Sequence, residues 1–292
     1  MMEFRTVVDI PDPGFRIGPC EKMLFVGSCF ADSIGRRFQE EKFRAVVNPF
    51  GVMYNPASIL HTIQCIVKQG DGSFVTSAGV TKEPSPCFTF LTLGTNHVYR
   101  LKETGEIVDN CQKRPQSLFI EEELSVDTCA DYLIKTIDLL YQMNPEMRIV
   151  LTVSPIRYRK YGYHGSQLSK ATLLLAIEKV MRSQSSPSNP SILNNLNYFP
   201  AYELINDELR DYRFYKEDML HPSDQAVEYI WQRLSEVYLS DEAKIFLKEW
   251  APLKAVLNHK PFDPDSEDYK ALMDKTMLKV AALSEKYPNF AL

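Results

Sequence analysis

Several features that mark particular classes of protein are scarce or missing in this sequence. The six cysteines form no Cys-x-x-Cys pair, which argues against a structural zinc site. No stretch approaches the ~20 apolar residues that a membrane span needs, and no apolar run resembling a signal peptide follows Met1. We therefore expect a bacterial-type cytoplasmic protein with no membrane span. Its cysteines should be mostly free and buried, since a chain of 292 residues does not depend on a disulfide framework.

An excess of charge of one sign is also missing. Lysine and arginine number 33, aspartate and glutamate number 38, and the formal net charge is −5. Proteins that bind nucleic acids usually carry a basic stripe. No block of basic residues occurs here, so we expect no nucleic-acid partner. The hydrophobic share of 45% is close to the average for soluble globular proteins, so the chain can form one large domain, with or without an appendage.

Strand and helix patterns alternate along most of the chain. The hydrophobic periodicity predicts strands at 23–26, 88–93 and 147–153, a short last strand at 198–199, and helices at 55–67, 125–141, 169–183 and from 222. Alternation of this kind favours a parallel sheet that is covered by helices on both sides. After about residue 240 the pattern is helical only. We therefore predict an α/β domain at 1–239 and a helical C-terminal extension at 240–292 that packs on it.

The first chemically suggestive segment is Gly27-Ser28-Cys29, which ends the first predicted strand. In open parallel sheets, sites form at the carboxyl ends of the strands. A serine or cysteine at such a turn lies near a helix N-terminus, where free N–H groups stabilise a thiolate or a developing oxyanion. The alternative is that Ser28 only caps the helix and Cys29 only packs in the core.

A second suggestive segment is Asp218-Met219-Leu220-His221. The three-residue spacing lets the carboxylate meet one imidazole nitrogen, which leaves the other nitrogen free to act as a base. The alternative is an aspartate that caps a helix beside a structural histidine.

Three further residues, Gly51, Gly94 and Asn96, are candidates for substrate contacts or for an oxyanion hole, although each also fits an ordinary turn. Arg157 and His164 follow the strand end at Ser154-Pro155 and are candidates for binding an anionic substrate group. The alternative for these two side chains is a solvated loop.

Read in order, these segments resemble the motifs of one known family. The sequence is similar to the GSCFA family in GSCFA at 27–31, NPFG at 48–51, TLGT at 92–95, NC at 110–111, VSP at 153–155, YFPAYE at 198–203, and RDYRFY at 210–215 followed by Asp218, His221 and Pro222. The resemblance extends over about residues 20–238. It places the chain with the SGNH hydrolases, which implies a flavodoxin-like, three-layer α/β/α fold and a Ser–His–Asp site.

The resemblance also assigns roles to individual residues. Asp218 and His221 match the last block of the superfamily, Asn96 its asparagine block and Gly51 its glycine block. The first block differs, because the superfamily has Gly-Asp-Ser where this chain has GSC at 27–29. Alignment on the glycine places Cys29 on the nucleophile, while a shift by one residue would make Ser28 the nucleophile.

These observations predict an ester hydrolase or acyltransferase that works through an acyl-enzyme and needs no cofactor. The expected substrate is an acylated carbohydrate, another small ester, or an acyl thioester such as acyl-CoA, because thioesters exchange readily with thiolates. One alternative is a catalytically inactive ligand-binding protein on the same fold. Another is a metal-dependent hydrolase that uses Asp218, His221 and Asp224.

Overall fold

A computed structural model of the chain describes residues 4–68, 74–76, 79–81, 85–109, 111, 114–184, 195–287 and 289–290. The strands are β1 (Lys22–Gly27), β2 (Arg44–Val47), β3 (Phe74–Thr76), β4 (Gly79–Thr81), β5 (Phe88–Leu93), β6 (His97–Leu101), β7 (Ile107–Val108), β8 (Phe119–Glu123), β9 (Arg148–Val153) and β10 (Leu196–Tyr198). The long helices are α1 (Cys29–Glu40), α2 (Pro56–Lys68), α3 (Val126–Met143), α4 (Gly162–Gln184), α5 (Asp224–Tyr238), α6 (Asp241–Leu257) and α7 (Glu267–Lys286). Asn110, one residue of the motif segments, lies outside the described residues.

The central sheet has the strand order β10-β9-β5-β1-β2, and every neighbouring pair in it is parallel. Numbered along the chain, these five strands have the order 2-1-3-4-5, which is that of the flavodoxin-like doubly wound fold. The predicted three-layer α/β/α architecture is therefore confirmed. A small antiparallel sheet, β7-β6-β8, is inserted between β5 and α3, and β3 pairs with β4 in a hairpin.

The two faces of the sheet carry different side chains because successive residues of a strand point to opposite faces. Leu24 and Val26 of β1 join an aliphatic core that contains the buried sides of α2, α3 and α4. Met23 and Phe25 face an aromatic core under α1 and α5. These two cores hold the three layers together.

The turn between β1 and α1 depends on Gly27. Its φ is +146°, and a Cβ built there would lie 2.1 Å from the carbonyl oxygen of Thr92 on β5. No side chain fits in that space, and an L-residue rarely adopts that φ. Glycine thus allows β1 to stay paired with β5 up to the point where the chain turns into α1.

The C-terminal helices are present as predicted and have a core of their own. Phe246, Trp250 and Leu253 of α6 pack with Val280 and Leu283 of α7. The indole N–H of Trp250 donates to the Glu40 carbonyl at 3.1 Å, so this core contacts the last turn of α1. No helix in the described part of the chain is both long and apolar enough to cross a bilayer.

Two element boundaries differ from the sequence prediction. The helix predicted at 169–183 begins at Gly162, since its exposed first turns carry no apolar periodicity. The last strand is Leu196–Tyr198 and not 198–199, because its register pairs Leu196 with Ile149 of β9. The four-residue strand β2 has no counterpart in the prediction.

Candidate active site

Cys29 is the first residue of α1 and lies at the carboxyl end of β1. Its thiol is partly exposed, and Sγ lies 3.5 Å from the hydroxyl of Tyr54. Ser28, immediately before it, is completely buried, and its Oγ accepts a hydrogen bond from Phe30 N at 3.3 Å. Ser28 therefore caps the helix with the atom that a nucleophile would need, whereas Cys29 presents its sulfur to a partly open site.

Asn48 braces the turn that carries the cysteine. Its Oδ1 accepts a hydrogen bond from Gly27 N at 2.8 Å, and its Nδ2 donates to Asp32 Oδ1 at 2.6 Å. The residue is buried and adopts a positive φ of 42°. A single side chain thus connects the end of β1 to the first turn of α1, and it explains why Asp32, inside the helix, is a structural carboxylate.

Two tyrosines extend the site beyond the thiol. The rings of Tyr54 and Tyr158 meet edge to face at 6.0 Å, and burial together with the neighbouring Cys29 raises the pKa of Tyr54. The Tyr158 hydroxyl is buried and has no hydrogen-bond partner among the described residues. It occupies the space where a side chain on Gly94 would lie, 2.4 Å from a Cβ built there. The glycine thus leaves room for an unpaired donor beside the thiol.

Behind Tyr158 lies a buried lysine. Lys170 of α4 is 2% exposed and donates to the carbonyl oxygens of Gly94 and Ser154 at 2.6 and 2.7 Å. These carbonyls follow the carboxyl ends of β5 and β9. The ammonium also lies 5.0 Å from the centre of the Tyr158 ring. Burial lowers the pKa of Lys170 to about 7, because a charge is costly in an apolar interior and the hydrogen-bond partners found for it among the described residues are carbonyl oxygens, not carboxylates.

The second half of the site is the loop before α5. His221 Nδ1 lies 2.6 Å from Asp218 Oδ2, and the amides of Leu220 and His221 donate to Asp218 Oδ1 at 2.8 and 2.9 Å. These two amides and the imidazole hold the pKa of Asp218 down to about 2. The carboxylate therefore fixes the orientation of the ring, and Nε2 has no hydrogen-bond partner within the described chain.

Arg157 attaches this loop to the sheet. Its backbone N–H donates to Leu220 O at 3.1 Å, and the side-chain Nη1 donates to Met219 O at 3.2 Å. The guanidinium lies over the rings of Tyr163 and Tyr215, at 4.5 and 5.3 Å. Because Arg157 follows β9, the histidine loop is placed at the same sheet edge as Cys29.

The three residues predicted for substrate contacts or the oxyanion hole already donate hydrogen bonds within the protein. The amides of Gly51 and Gly94 donate to Asn48 O and Tyr54 O, each at 2.8 Å. The Asn96 side-chain amide is buried and donates one hydrogen to Leu124 O, also at 2.8 Å.

Arg157 and His164 occupy different environments. The first lines a cavity of about 260 Å³ together with Arg210, Asn206 and Gln167. His164 is exposed in the first turn of α4. The wall of this cavity thus carries two guanidinium groups, those of Arg157 and Arg210, and also the carboxylate of Asp211.

The structure brings both halves of the predicted site to one edge of the sheet. Across the described residues, the hydrogen-bond partner of Cys29 Sγ is Tyr54, and that of the His221 ring is Asp218. Asp224, the remaining predicted metal ligand, pairs with Lys216 at 3.0 Å. Within the same residues, no group of three or more His, Cys, Asp or Glu side chains is arranged to hold a metal ion.

Tyr54, Tyr158 and Lys170 are parts of this site that the sequence did not predict. Tyr54 lies within the YNP segment that precedes α2, four residues after Phe50 of the NPFG motif. Its place between the NPFG motif and the helix predicted at 55–67 is the only signal that the sequence offers. Nothing in the local pattern around Lys170 distinguishes it from Lys179, the exposed lysine of the same helix.

Several solved structures show a low similarity to this chain. Solved structures that it resembles include a mutant acetyl esterase with acetate ion (10% identity, TM-score 0.43, covering 78% of this chain and 99% of the other). Others are a family 3 carbohydrate esterase from Talaromyces cellulolyticus (10%, 0.40, 78% and 99%) and one from Clostridium thermocellum (11%, 0.40, 79% and 98%). Comparison with curated proteins gives no match. Identities and TM-scores this low say nothing about chemistry, which has to be argued from the site.

Similarity at the level of the family is much more extensive. Residues 22–81 and 85–234 match the GSCFA family, and residues 250–292 match the C-terminal domain of GSCFA domain proteins. The matched segments include Gly27-Ser28-Cys29 and the Asp218–His221 loop. The chain therefore belongs to the GSCFA family.

Proposed function

We propose that this protein is an acyl-transferring enzyme, an ester hydrolase or acyltransferase, in which Cys29 forms a covalent acyl-enzyme. One observation carries the proposal. A partly exposed thiol at a helix N-terminus shares one sheet edge with a histidine whose orientation is fixed by an aspartate. A nucleophile, a base and a group that orients the base are the minimum set for acyl transfer.

The choice of Cys29 over Ser28 is supported by the contacts of the two side chains. The Ser28 hydroxyl caps α1 from a completely buried position, so using it as a nucleophile would uncap the helix. The Cys29 sulfur is reachable, and the positive end of α1 favours its thiolate. The Tyr54 hydroxyl, 3.5 Å from Sγ, can donate a hydrogen bond to that thiolate.

The base in this proposal is His221. Asp218 binds Nδ1–H, so Nε2 is the nitrogen that accepts the proton of the nucleophile. Sγ and Nε2 are not hydrogen-bonded to each other in the described structure. The proposal therefore requires substrate binding to bring them together, as happens in enzymes whose catalytic hydrogen bonds tighten only in the substrate complex.

The reaction would proceed in two steps. Sγ attacks the acyl carbon, the bond from that carbon to the leaving oxygen or sulfur breaks, and the leaving group takes the proton held by His221. Water or an acceptor hydroxyl then attacks the thioester and gives its proton to the same histidine. The bond from the acyl carbon to Sγ breaks, the proton returns to Sγ, and the free acid or the new ester leaves. We assign the N–H of Cys29, the Tyr158 hydroxyl and the second Nδ2 hydrogen of Asn96 as oxyanion donors. Gly51 can join them only if its amide leaves Asn48 O.

Substrate selection in this proposal involves the cavity beside the histidine loop. Arg157 and Arg210 line it, and both present guanidinium groups that suit a carboxylate or phosphate. The proposed substrates are small esters, including acylated carbohydrates, and acyl thioesters.

The test is intact-mass spectrometry after exposure to small acyl thioesters and activated esters. Wild type is compared with Cys29→Ala, Ser28→Ala and His221→Ala, each checked for folding by circular dichroism. We expect an acyl adduct in wild type and Ser28→Ala, none on residue 29 in Cys29→Ala, and much slower formation in His221→Ala. An adduct that disappears only in Ser28→Ala would make serine the nucleophile. A folded wild type that binds such esters without an adduct would favour a ligand-binding protein instead.

A further inference from the structure

A second group of catalytic-type side chains lies outside the site described above. On α2, Cys65 Sγ lies 3.6 Å from His61 Nε2. The other ring nitrogen, Nδ1, lies 2.5 Å from Asp109 Oδ2, just after β7. Residues four apart share one face of a helix, which is how the cysteine and the histidine meet. The order is thiol, imidazole, carboxylate.

This group opens into a cavity of about 500 Å³. All three side chains line it, as do Thr62 and Gly51, the glycine named above as a possible oxyanion donor of the first site. Most of the other wall residues are apolar: Phe50, Val52, Met53, Ile107 and Val108. Arg114 adds one cation to the lining. The cavity therefore suits a group with an apolar body, such as a short acyl chain, and an anionic or polar end.

We propose that Cys65, His61 and Asp109 form a second nucleophilic thiol site, which accepts short acyl groups from thioesters independently of Cys29. Each side chain has a defined role. Asp109 holds Nδ1–H, which leaves Nε2 to take the thiol proton, and the resulting imidazolium stabilises the thiolate.

Because of its position in α2, Cys65 depends strongly on His61 for any enhanced reactivity of its thiol. Cys65 lies in the last turn of α2, and the negative end of a helix dipole disfavours a thiolate there. The helix therefore contributes nothing to the reactivity of this cysteine, in contrast to Cys29. Any enhanced reactivity must come from the imidazole and its carboxylate.

The acylation step is a thiol exchange and needs no oxidant or reductant. Sγ of Cys65 bonds to the acyl carbon, and the bond from that carbon to the sulfur of the carrier breaks. The proton passes from Cys65 to His61 Nε2 and then to the departing carrier thiolate. The products are an S-acyl cysteine and a free carrier thiol.

The experiment uses the full chain carrying Cys29→Ala, so that its result does not depend on the proposed function of Cys29. Alkylation by iodoacetamide is followed cysteine by cysteine with peptide mass spectrometry between pH 5.5 and 9. Cys111 is the reference thiol, because it is also partly buried and burial raises its pKa. An ordinary thiol is only ~1% ionised near pH 6.5, and Cys111 is ionised less than that because burial raises its pKa. We therefore expect Cys65 to react faster than Cys111 at that pH, and about tenfold faster or more with His61 present than with His61→Gln.

Two variants separate the proposed role from a structural one. His61→Gln should reduce the Cys65 rate about tenfold or more, while Gln64→Ala, one position away on the same helix, should leave it unchanged. Butyryl-N-acetylcysteamine, a small acyl thioester, should add a butyryl group to Cys65, and the adduct should be absent in Cys65→Ala. Equal rates at Cys65 and Cys111, or a Cys65 rate insensitive to His61→Gln, would overturn the proposal.

Discussion

The buried ammonium of Lys170 makes a quantitative prediction about stability and pH. In the unfolded chain a lysine titrates near 10.5, whereas burial lowers the pKa of Lys170 to about 7. Between these pH values the unfolded state binds a proton that the folded state does not. The free energy of unfolding therefore rises with pH across this window.

The magnitude follows from the same difference. One bound proton changes the free energy of unfolding by about 1.4 kcal/mol per pH unit, so the whole window corresponds to roughly 5 kcal/mol. The hydrogen bonds to Gly94 O and Ser154 O stabilise the charged form by about 1.5–3 kcal/mol each. These bonds offset part of the burial cost at neutral pH, and Lys170→Met loses them at every pH.

The assay is urea unfolding of wild type and Lys170→Met at pH 6.5, 7.5, 8.5 and 9.5. Subtracting the two free energies cancels the titration of all other groups. Above pH 7.5, we expect the free energy of unfolding of wild type to rise relative to that of Lys170→Met by about 1.4 kcal/mol per pH unit. Lys179→Met, an exposed position on the same helix, should show no such slope. A constant difference between wild type and Lys170→Met would mean that the buried lysine keeps its proton, and would refute the argument.

Three further predictions concern the turn and the two halves of the site. Gly27→Ala should destabilise the protein by roughly 3 kcal/mol or more in urea unfolding, because its Cβ would overlap the backbone of the neighbouring strand. Asp218→Asn should slow acyl-adduct formation on the order of 10²–10⁴-fold without unfolding the chain, because His221 loses the group that fixes its tautomer. Tyr54→Phe should slow alkylation of Cys29 at pH 7 by about fivefold, since a hydrogen bond to the thiolate is worth about 1 kcal/mol.

Matched variants make these predictions specific. Gly105 also has a positive φ, of +72°, but the space beside it is open, so Gly105→Ala should cost only about 1–2 kcal/mol. Glu217→Gln removes a neighbouring exposed carboxylate and should leave adduct formation unchanged. A Gly27→Ala variant as stable as Gly105→Ala, or equal rates for Asp218→Asn and Glu217→Gln, would contradict the reasoning.

Much of the fold could be predicted from the sequence because its elements are locally encoded. The strands β5 (FTFLTL) and β9 (RIVLTV) consist mostly of apolar and β-branched residues, and Ser125 caps α3 just before its apolar period begins. The four residues of β2 are too few to show a period, and β2 is defined by its pairing with β1, a contact between residues about 22 positions apart in the chain. The boundary proposed between the α/β domain at 1–239 and the helical extension at 240–292 stays a prediction.

The site could be predicted only where chemistry and spacing coincide. Asp218 and His221 are three residues apart, so their contact was predictable. Lys170 is buried because the ends of two strands converge on α4, and Asp109 meets His61 across 48 positions. Such partners are set by the tertiary structure.

The contact between Trp250 and Glu40 has a consequence for communication within the molecule. A helix of 12 residues, such as α1, is about 18 Å long. Cys29 begins it and Glu40 ends it, so the indole that bonds the Glu40 carbonyl acts on the opposite end from the thiol. Lys254 reinforces this end through Glu41 at 3.1 Å. Along this route, a ligand or partner bound to α6 and α7 would affect the thiol only by shifting α1 along its axis.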